Sequence, residues 1–454
     1  MLRVLEHVFQ AERAGAFQTI GQALPRIDAR SHVTGETRYY ADRTFPGLLH
    51  AAIARSECHH ALIRDLDLGA AEAMPGVARI LTHQDVPNNW YTILKLIGMG
   101  PDEEPVLAVD RVLYRGEPIA VVLAASIERA RAAAAEVRVE YQELPAVLDV
   151  EAAIRPETAA IKPHGSNAYD YDGRDHFHVH SGDAEAALRA ADHIVEHTYQ
   201  SSPIEHAALE TTGAIAVPGS DGRITIHSNT QAAFFTLDNA ALILGLPFRQ
   251  LRVVGGTVGG GFGGKVDVIV EPIAVLGAML TGRPVKYAFS RAEEMQVSSP
   301  RAAERIRLRD GVMADGRIIA RDARILVDAG AYSRHSPYGT IKAAAHLPGP
   351  YSVPNVTINA WCVYTNRTPS SAMRGFGVTI ADFALEVQMD RIARLLGRDP
   401  FELRLQNAYR DGEMKAHRKE VEGAALVEVI QAAAERVGHS LAPEYRAMSS
   451  RGRS

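Results

Sequence analysis

The sequence predicts an α+β fold made of two units, on the basis of three patterns. Segments such as 379–396 carry apolar residues three and four positions apart, which is typical of a helix with one buried stripe. Segments such as 317–327 alternate apolar and polar residues, which predicts half-buried strands. Prolines at positions 145, 156 and 163, with Gly165, indicate a break between the two units.

The first predicted unit occupies residues 26–149, after a lead-in segment at 1–25. Residues 127–135 are rich in alanine and predict a helix, and 137–141 alternate as a strand. Residues 88–104 show no clear period and predict an irregular, mobile loop.

A linker at 150–175 leads to the second predicted unit, which occupies residues 176–410. Its elements include a helix at 233–244, because Gly245 and Pro247 end the apolar pattern there. Residues 411–454 predict an amphipathic helix followed by a polar, frayed tail.

Composition excludes several classes of protein. The net charge of −5 is spread along the chain, which argues against nucleic-acid binding. The longest apolar run, 266–280, contains Asp267 and Glu271 and is too short to cross a bilayer, so no membrane span is expected. The two cysteines, Cys58 and Cys362, favour the reducing cytoplasm and cannot by themselves hold an iron–sulfur cluster.

The most informative stretch is a first glycine loop at 255–265, which reads GGTVGGGFGGK. It follows an apolar run and precedes a long apolar segment, so bare backbone N–H groups can approach a ligand near a helix start. Two nucleotide-binding motifs fit this stretch only weakly. A P-loop needs Ser or Thr at the position of Val266, and a dinucleotide-binding fingerprint needs an acidic residue about 20 positions further on. A tight turn without a ligand is the remaining alternative.

A second glycine loop at 372–377 reads AMRGFG and also precedes a helical pattern. The two loops are expected to meet at one ligand, where Arg374 can bind a buried anion or oxo group. The alternative is a turn with a surface arginine. Gln231, between a strand and a helix, can donate its amide to a ligand oxygen or cap the helix.

Histidines are interpreted as structural. His176, His178 and His180 lie at every second position, so they share one strand face with a spacing of about 7 Å that suits a metal poorly. A solvated strand face is the preferred interpretation. His206 and Glu210 are also interpreted as structural.

These loops resemble those of the molybdenum hydroxylases, the xanthine dehydrogenase and aldehyde oxidase family. The resemblance covers about residues 26–438 and runs through further motifs in family order. These motifs are Val33-Thr34-Gly35, Tyr39-Tyr40-Ala41-Asp42, Arg55-Ser56, residues 114–120 (YRGEPIA), Val139-Glu140-Tyr141, residues 281–285 (TGRPV), residues 328–332 (DAGAY) and Arg374-Gly375-Phe376-Gly377.

The resemblance implies a small hammerhead domain at 26–149 and the first molybdopterin-binding domain at 176–410. It implies molybdenum bound to molybdopterin, either plain or as the cytosine dinucleotide, with no protein side chain as a direct metal ligand. The implied cofactor-binding residues are Gln231, Gly260, Gly261, Phe262, Gly263, Arg374 and Gly375, of which Gln231, Phe262 and Arg374 neighbour the molybdenum.

The implied substrate residues are Val266, Lys342 and Phe376. Purine-oxidising members of the family carry a glutamate where this chain has Val266, and Glu-Arg where it has Ile341-Lys342. The second loop also lacks the cysteine of the carbon monoxide dehydrogenase branch. The resemblance therefore favours a flat ring or an aldehyde with a negative group over xanthine or carbon monoxide.

Family chains usually continue into a second molybdopterin domain that carries a glutamate base. This sequence resembles the large subunit of split enzymes such as nicotinate dehydrogenase, in which that glutamate lies on a separate subunit. No catalytic residue is then expected in this chain, and an iron–sulfur subunit and an FAD subunit are the other expected partners. The expected reaction hydroxylates an electron-poor heteroaromatic carbon with water as the oxygen source. An aldehyde oxidoreductase subunit, or a truncated remnant that acts as an assembly scaffold, are the alternatives.

Overall fold

A computed structural model describes Gly15, Thr19 and residues 21–163 and 165–451. Most of the predicted lead-in segment and the last three residues of the tail lie outside the described residues. None of the helices in the described part of the chain combines the length and apolar composition needed to cross a bilayer.

Strands and helices are mixed along the chain. The described strands are β1 (Leu49–Arg55), β2 (Ala61–Asp67), β3 (Val77–Leu81), β4 (Trp90–Tyr91), β5 (Glu104–Pro105), β6 (Arg111–Val112), β7 (Pro118–Ala124), β8 (Arg138–Glu143), β9 (Phe177–Ser181), β10 (His193–Gln200), β11 (Gly213–Pro218), β12 (Ile224–Ser228), β13 (Leu251–Gly255), β14 (Val285–Ala288), β15 (Glu304–Val312), β16 (Ile318–Gly330) and β17 (Asn355–Tyr364). The described α-helices are α1 (Ala29–Thr34), α2 (Gly69–Glu72), α3 (Ile127–Ala134), α4 (Val150–Ala153), α5 (Ala184–Ala190), α6 (Ala233–Leu244), α7 (Glu271–Thr281), α8 (Arg291–Val297), α9 (Ser336–His346), α10 (Val378–Leu396), α11 (Pro400–Asn407), α12 (Leu426–Arg436) and α13 (Pro443–Arg446).

Two large sheets organise these elements. A seven-stranded sheet has the order β13-β12-β11-β14-β1-β7-β3, and a five-stranded sheet has the order β10-β15-β16-β17-β9. Smaller sheets join β6-β2-β8 and β4-β5. Because helices alternate irregularly with parallel and antiparallel strands, the predicted α+β class is confirmed.

The two predicted units share the seven-stranded sheet. Strands β1, β3 and β7 come from the first unit, and β1 pairs in parallel with β14 of the second, with Leu49 opposite Val285. Strand β7 is buried from Ile119 to Ala124, which explains its near-continuous apolar sequence inside a sheet covered on both faces. The predicted unit boundaries therefore do not separate two independent sheets.

Each large sheet is covered by helices that position the candidate site. Helix α10 packs Leu385, Met389 and Ile392 into the core of the five-stranded sheet, as its predicted apolar stripe requires. Helices α6 and α7 cover the seven-stranded sheet. Residues 271–278 of α7 are all buried, which fits a helix that is apolar on all sides after Glu271.

Several predicted elements are confirmed within one or two residues. The helix predicted at 233–244 has those bounds, and His178 and His180 are exposed on β9 as the interpretation of a solvated face requires. The predicted mobile loop at 88–104 is wrong, since it forms β4, a short 3₁₀ helix with buried Ile93 and Leu94, and a buried Glu104.

The linker and the tail are also more structured than the sequence suggests. The linker contains α4 and places Ile161, Asn167 and Tyr169 in buried positions. The prediction of a frayed tail is wrong for its described part, because α13 forms there and Leu441 and Ser450 are buried. Both segments bury side chains that belong to cores formed by distant residues.

Candidate functional site

The two glycine loops meet, as predicted. The backbone N–H of Arg374 in the second loop donates to the carbonyl oxygen of Phe262 in the first, at 2.7 Å. Gly263 adopts φ +106°, and a Cβ there would lie 2.6 Å from the Ala372 carbonyl oxygen. Glycine at this position is therefore needed both for the backbone angle and for the close approach of the loops.

Gln231 is attached to the first loop by one end of its side chain. Its Oε1 accepts hydrogen bonds from the N–H of Gly263 at 2.9 Å and of Lys265 at 3.3 Å. A Cβ on Gly261 would lie 2.4 Å from Gln231 Cδ, so this glycine makes room for the amide. The alternative of a helix cap is wrong, because α6 has Ala232 at its N-cap and no side-chain cap.

Several backbone N–H groups of the loops have no hydrogen-bond acceptor among the described residues. Among the described residues, none accepts a hydrogen bond from the N–H of Gly260, Gly261 or Phe262, or from that of Gly375 or Phe376. Gly260 and Gly375 have positive φ, and so does Phe262 with 48% of its surface exposed. A set of free backbone donors on two adjoining glycine-rich segments fits an anionic, oxygen-rich group such as a molybdopterin.

A buried ion pair supports the first loop from below. Lys265 Nζ contacts Glu210 Oε2 at 3.2 Å and donates to the Glu210 carbonyl oxygen at 2.8 Å. Glu210 Oε2 also accepts from the N–H of Gly259. Burial lowers the pKa of Lys265, and the charge of Glu210 opposes that shift. Because this lysine is occupied beneath the loop, it is not placed to bind phosphate as a P-loop lysine does.

Arg301 and His206 support the second loop. Arg301 Nη2 donates to the carbonyl oxygen of Arg374, and Nη1 donates to that of Gly375 at 3.4 Å. His206 Nε2 lies 2.9 Å from the Ala372 carbonyl oxygen. The side chain of Arg374 is exposed and has no hydrogen-bond partner in the described parts of the chain. Its guanidinium is therefore available to a ligand.

Helix α9 forms a wall of the candidate site beside the second loop. The ring of Phe376 packs over Gly339, where a Cβ would lie 2.7 Å from the ring, and its centroid is 6.1 Å from that of Tyr338. Lys342 Nζ lies 5.0 Å from the Tyr338 ring centroid. Among the described residues, no carboxylate oxygen lies within 4.0 Å of Lys342 Nζ.

A buried polar network connects this wall to the first loop. His335, at the N-terminus of α9, places Nδ1 2.6 Å from Asp267 Oδ1 and 3.1 Å from Ser371 Oγ. Burial alone would raise the pKa of Asp267, but His335 and Arg334 outweigh it and hold that pKa below its ordinary value. Arg334 also donates to Glu104 of β5, with Nη2 2.8 Å from Oε1.

The site residues that the sequence reasoning missed are mainly buried supports. Arg301, Asp267 and His335 lie far apart in the chain, and none of them belongs to a glycine loop. Of the three, only Asp267 could have been noticed in the sequence, because it is a charged residue directly after Val266 and ahead of an apolar helix. Val266 itself is half-buried next to Asp267.

The chain matches models of two protein families. Residues 167–408 match the family model of the molybdopterin cofactor-binding domain, and residues 34–145 match that of the aldehyde oxidase and xanthine dehydrogenase a/b hammerhead domain. The chain belongs to the xanthine dehydrogenase and aldehyde oxidase family. It therefore contains a molybdopterin-binding domain and falls in a family of oxidoreductases, which confirms the predicted family and fold.

Individual relatives of this family are similar over most of the chain. The nicotinate dehydrogenase large molybdopterin subunit of Eubacterium barkeri is 34% identical over 92% of this chain and 96% of its own length. The solved aldehyde oxidoreductase of Desulfovibrio gigas is 33% identical, with a TM-score of 0.86, over 91% of this chain and 46% of its own. The quinoline 2-oxidoreductase of Pseudomonas putida 86 is 28% identical, with a TM-score of 0.86, over 93% and 54%.

The chain spans about half the length of most of the curated relatives it matches, for example 50% of one and 46% of another. The nicotinate dehydrogenase subunit differs in this respect, since nearly all of its length is matched.

Proposed function

We propose that this chain is the molybdopterin-binding subunit of an enzyme that hydroxylates an electron-poor carbon of a nicotinate-like heteroaromatic acid, with water as the oxygen source. The observation that carries this proposal is the junction of the two glycine loops, where the Arg374 N–H binds the Phe262 carbonyl oxygen. That junction is bordered by the free N–H groups, by the Arg374 guanidinium and by the Gln231 amide. The similarity to a nicotinate dehydrogenase subunit and a quinoline oxidoreductase supports the heteroaromatic class.

Each part of the site has a separate task in this proposal. The molybdenum cofactor, when bound, accepts two electrons and activates the oxygen that enters the product. Its anionic groups bind the backbone N–H groups of Gly260, Gly261 and Phe262. The positive φ angles of Gly263 and Gly375 permit the loop conformations that this binding needs. Arg374 and the Nε2 donor of Gln231 stabilise the negative charge that develops during the reaction.

The substrate lies between the loops and α9. Val266 and Phe376 supply apolar walls, and Lys342 binds a carboxylate of the substrate across the face of Tyr338. A cation at the border of an apolar pocket favours an anionic ligand more strongly than it does in open water. Val266 offers no acceptor for the N–H groups of a purine.

In this proposal, other subunits supply the general base and the electron acceptors. Proton removal needs a carboxylate with access to the reacting atoms. The carboxylates beneath the loops are engaged, Glu210 by Lys265 and Asp267 by His335. We therefore place a glutamate base on a second molybdopterin-binding chain, and electron transfer on iron–sulfur and FAD subunits. Cys58 and Cys362 are both free thiols, which fits assembly in the cytoplasm.

This proposal is tested by purifying the tagged chain alone and together with coexpressed candidate subunits, then measuring molybdenum content and turnover. Nicotinate, quinoline, neutral aldehydes and xanthine form the substrate panel. Turnover is expected only with the second molybdopterin chain, with preference for the heteroaromatic acid. Turnover by the pure chain would refute the placement of the base. Preference for aldehydes would establish the aldehyde oxidoreductase alternative, and an assembled complex that binds no molybdenum would establish a scaffold.

Replacing Lys342 by methionine is expected to remove the preference of the assembled enzyme for a carboxylate-bearing ring over its neutral analogue. The loss of one charge-assisted hydrogen bond should lower kcat/KM for the acid about tenfold or more, with little change for the neutral ring. Steady-state kinetics on nicotinate and its amide measure this ratio. Lys286 donates to the Ala41 carbonyl oxygen away from the loops, so Lys286→Met is the control. An unchanged ratio in Lys342→Met would show that the selecting charge lies elsewhere.

A further inference from the structure

Gly339 is an interior residue of helix α9, which runs from Ser336 to His346. Glycine weakens a helix relative to alanine, because it loses more backbone freedom on folding. Gly339 does not have a positive φ, so its backbone conformation does not require glycine. A close approach of neighbouring atoms is then the remaining physical reason for glycine at this position.

Two residues of the second glycine loop pack against Gly339. A Cβ at Gly339 would lie 2.7 Å from Cε2, 3.1 Å from Cζ and 3.4 Å from Cδ2 of the Phe376 ring. In the other direction, a Cβ at Gly377 would lie 2.2 Å from the Gly339 carbonyl oxygen. The loop therefore approaches the bare backbone of α9 both through the Phe376 ring and through its own backbone.

The backbone of the second loop is held by hydrogen bonds and has little freedom to move. Arg301 donates to the Arg374 carbonyl oxygen, and the N–H of Arg374 donates to the Phe262 carbonyl oxygen at 2.7 Å. Phe376, in contrast, is only half-buried, and its ring is the end of a side chain. A group added at Gly339 is therefore expected to displace the ring and to leave the loop backbone in place.

Helix α9 cannot easily yield either. Its residues Thr340, Ala343 and Ala344 are fully buried, and the two alanines pack in the core of the five-stranded sheet. Shifting the helix would disturb this close-packed core, which is less favourable than turning one half-exposed ring. The contact of Phe376 with Gly339 therefore determines where its ring lies.

We propose that Gly339 is a positioning residue that sets the width of the substrate pocket through the ring of Phe376. This inference rests on the proposed function, in which the substrate lies between the glycine loops and α9. Because residue 339 has no side chain, the ring lies against the helix backbone and leaves that space open. A methyl group there would move the ring by about 1 Å, to the ordinary carbon–carbon contact of about 3.5–4.0 Å. Moving away from α9 takes the ring into the space for the substrate.

The width of this space bears on which rings the enzyme accepts. The second ring of a quinoline carboxylate extends the flat surface that must fit beside Phe376, whereas nicotinate presents a single ring. A narrower space therefore excludes the larger acid first, because a closely packed site tolerates added volume poorly. Gly339 is then the residue that admits bicyclic acids.

The experiment measures the equilibrium binding of nicotinate and of quinoline carboxylate to the assembled complex. Gly339→Ala is expected to lower the affinity for quinoline carboxylate, relative to that for nicotinate, about tenfold. In the Phe376→Ala background there is no ring to displace, so the same change should leave the ratio of affinities unaltered. Gly277→Ala inside α7 is the control, because a Cβ at Gly277 would meet Leu123 and Val285 and no loop residue.

Unfolding of the purified chain in denaturant gives a second measurement, which needs no substrate. Gly339→Ala is expected to lower the unfolding midpoint in the wild-type background, because the methyl group meets the ring. In the Phe376→Ala background it should raise the midpoint, because alanine is the better helix former. A single variant that does not fold, beside a double variant that does, would show the same conflict. Failure of both to fold, or an equal effect in both backgrounds, would refute the contact.

Three binding results would overturn the inference. They are a wild-type complex that binds nicotinate but no quinoline carboxylate, a folded Gly339→Ala variant with the wild-type ratio of affinities, and a changed ratio that persists in full without the Phe376 ring. If the complex hydroxylates nicotinate while Gly339→Ala has no effect, the proposed function stands and the role of Gly339 fails. If the complex acts only on aldehydes, the proposed substrate class fails, and the ratio between an aromatic and a short aliphatic aldehyde then tests Gly339.

Discussion

Arg374→Ala is expected to lower turnover of the assembled enzyme about 10²–10³-fold, the loss measured when a donor to a developing negative charge is removed. Molybdenum and pterin content should fall far less, because the second loop is held by its backbone contacts to Phe262, Arg301 and His206. Single-turnover kinetics with metal and pterin analysis on the same preparation separate the two effects. Arg249→Ala, at an exposed arginine ahead of β13, is the control.

Gln231 permits a sharper version of this test. Gln231→Glu keeps an oxygen that accepts from the N–H groups of Gly263 and Lys265, and replaces only the outward Nε2 donor. Gln231→Ala removes the loop attachment as well. We expect Gln231→Glu to lose turnover with cofactor retained, and Gln231→Ala to lose some of both. If Arg374→Ala and Gln231→Glu lose cofactor in proportion to activity, the role assigned to these side chains is wrong.

Glu104→Ala is expected to lower the free energy of unfolding by about 3–5 kcal/mol, because it removes the carboxylate in direct contact with the buried Arg334 and leaves that charge with only Asp267, 3.9 Å away. The side chains of Arg334 and Glu104 are only 2% and 10% exposed, and Arg334 contacts Glu104 through both Nε and Nη2. The pair joins β5 to the residue before His335, so the start of α9 should loosen with it. Denaturant unfolding of the purified chain measures the change.

An exposed ion pair provides the matched control. Glu185 and Arg189 are 65% and 67% exposed on α5, and Glu185→Ala should cost less than about 0.5 kcal/mol. A loss below 1 kcal/mol in Glu104→Ala would show that water reaches Arg334 and that the pair does not hold the two segments together.

Much of this fold could be predicted from the sequence, and the family motifs show why. Glycine is required where a backbone has positive φ or meets another backbone, so Gly260, Gly263 and Gly375 leave a visible pattern. Helical periodicity likewise predicted α6 and α10, since both bury one stripe or face. The substrate and cofactor roles of Gln231, Arg374, Val266, Lys342 and Phe376 remain predictions that the geometry supports.

The pairing of distant segments was decided only by the tertiary structure. Sequence patterns report which faces are buried, and they do not report the partner that buries them. Residues 88–104 read as an irregular loop because Glu104 finds its partner, Arg334, 230 positions away. The shared seven-stranded sheet, in which β1 pairs with β14, is hidden for the same reason.

The sequence by itself determined the family, the two glycine loops and the apolar stripes, because these depend on local backbone geometry and on periodicity. The tertiary structure decided how the loops are held and what lies beneath them. The contacts of Lys265 with Glu210, Arg301 with the second loop, and His335 with Asp267 each join residues far apart in the chain. Buried charges and polar groups require partners, and only the folded chain shows which partners those are.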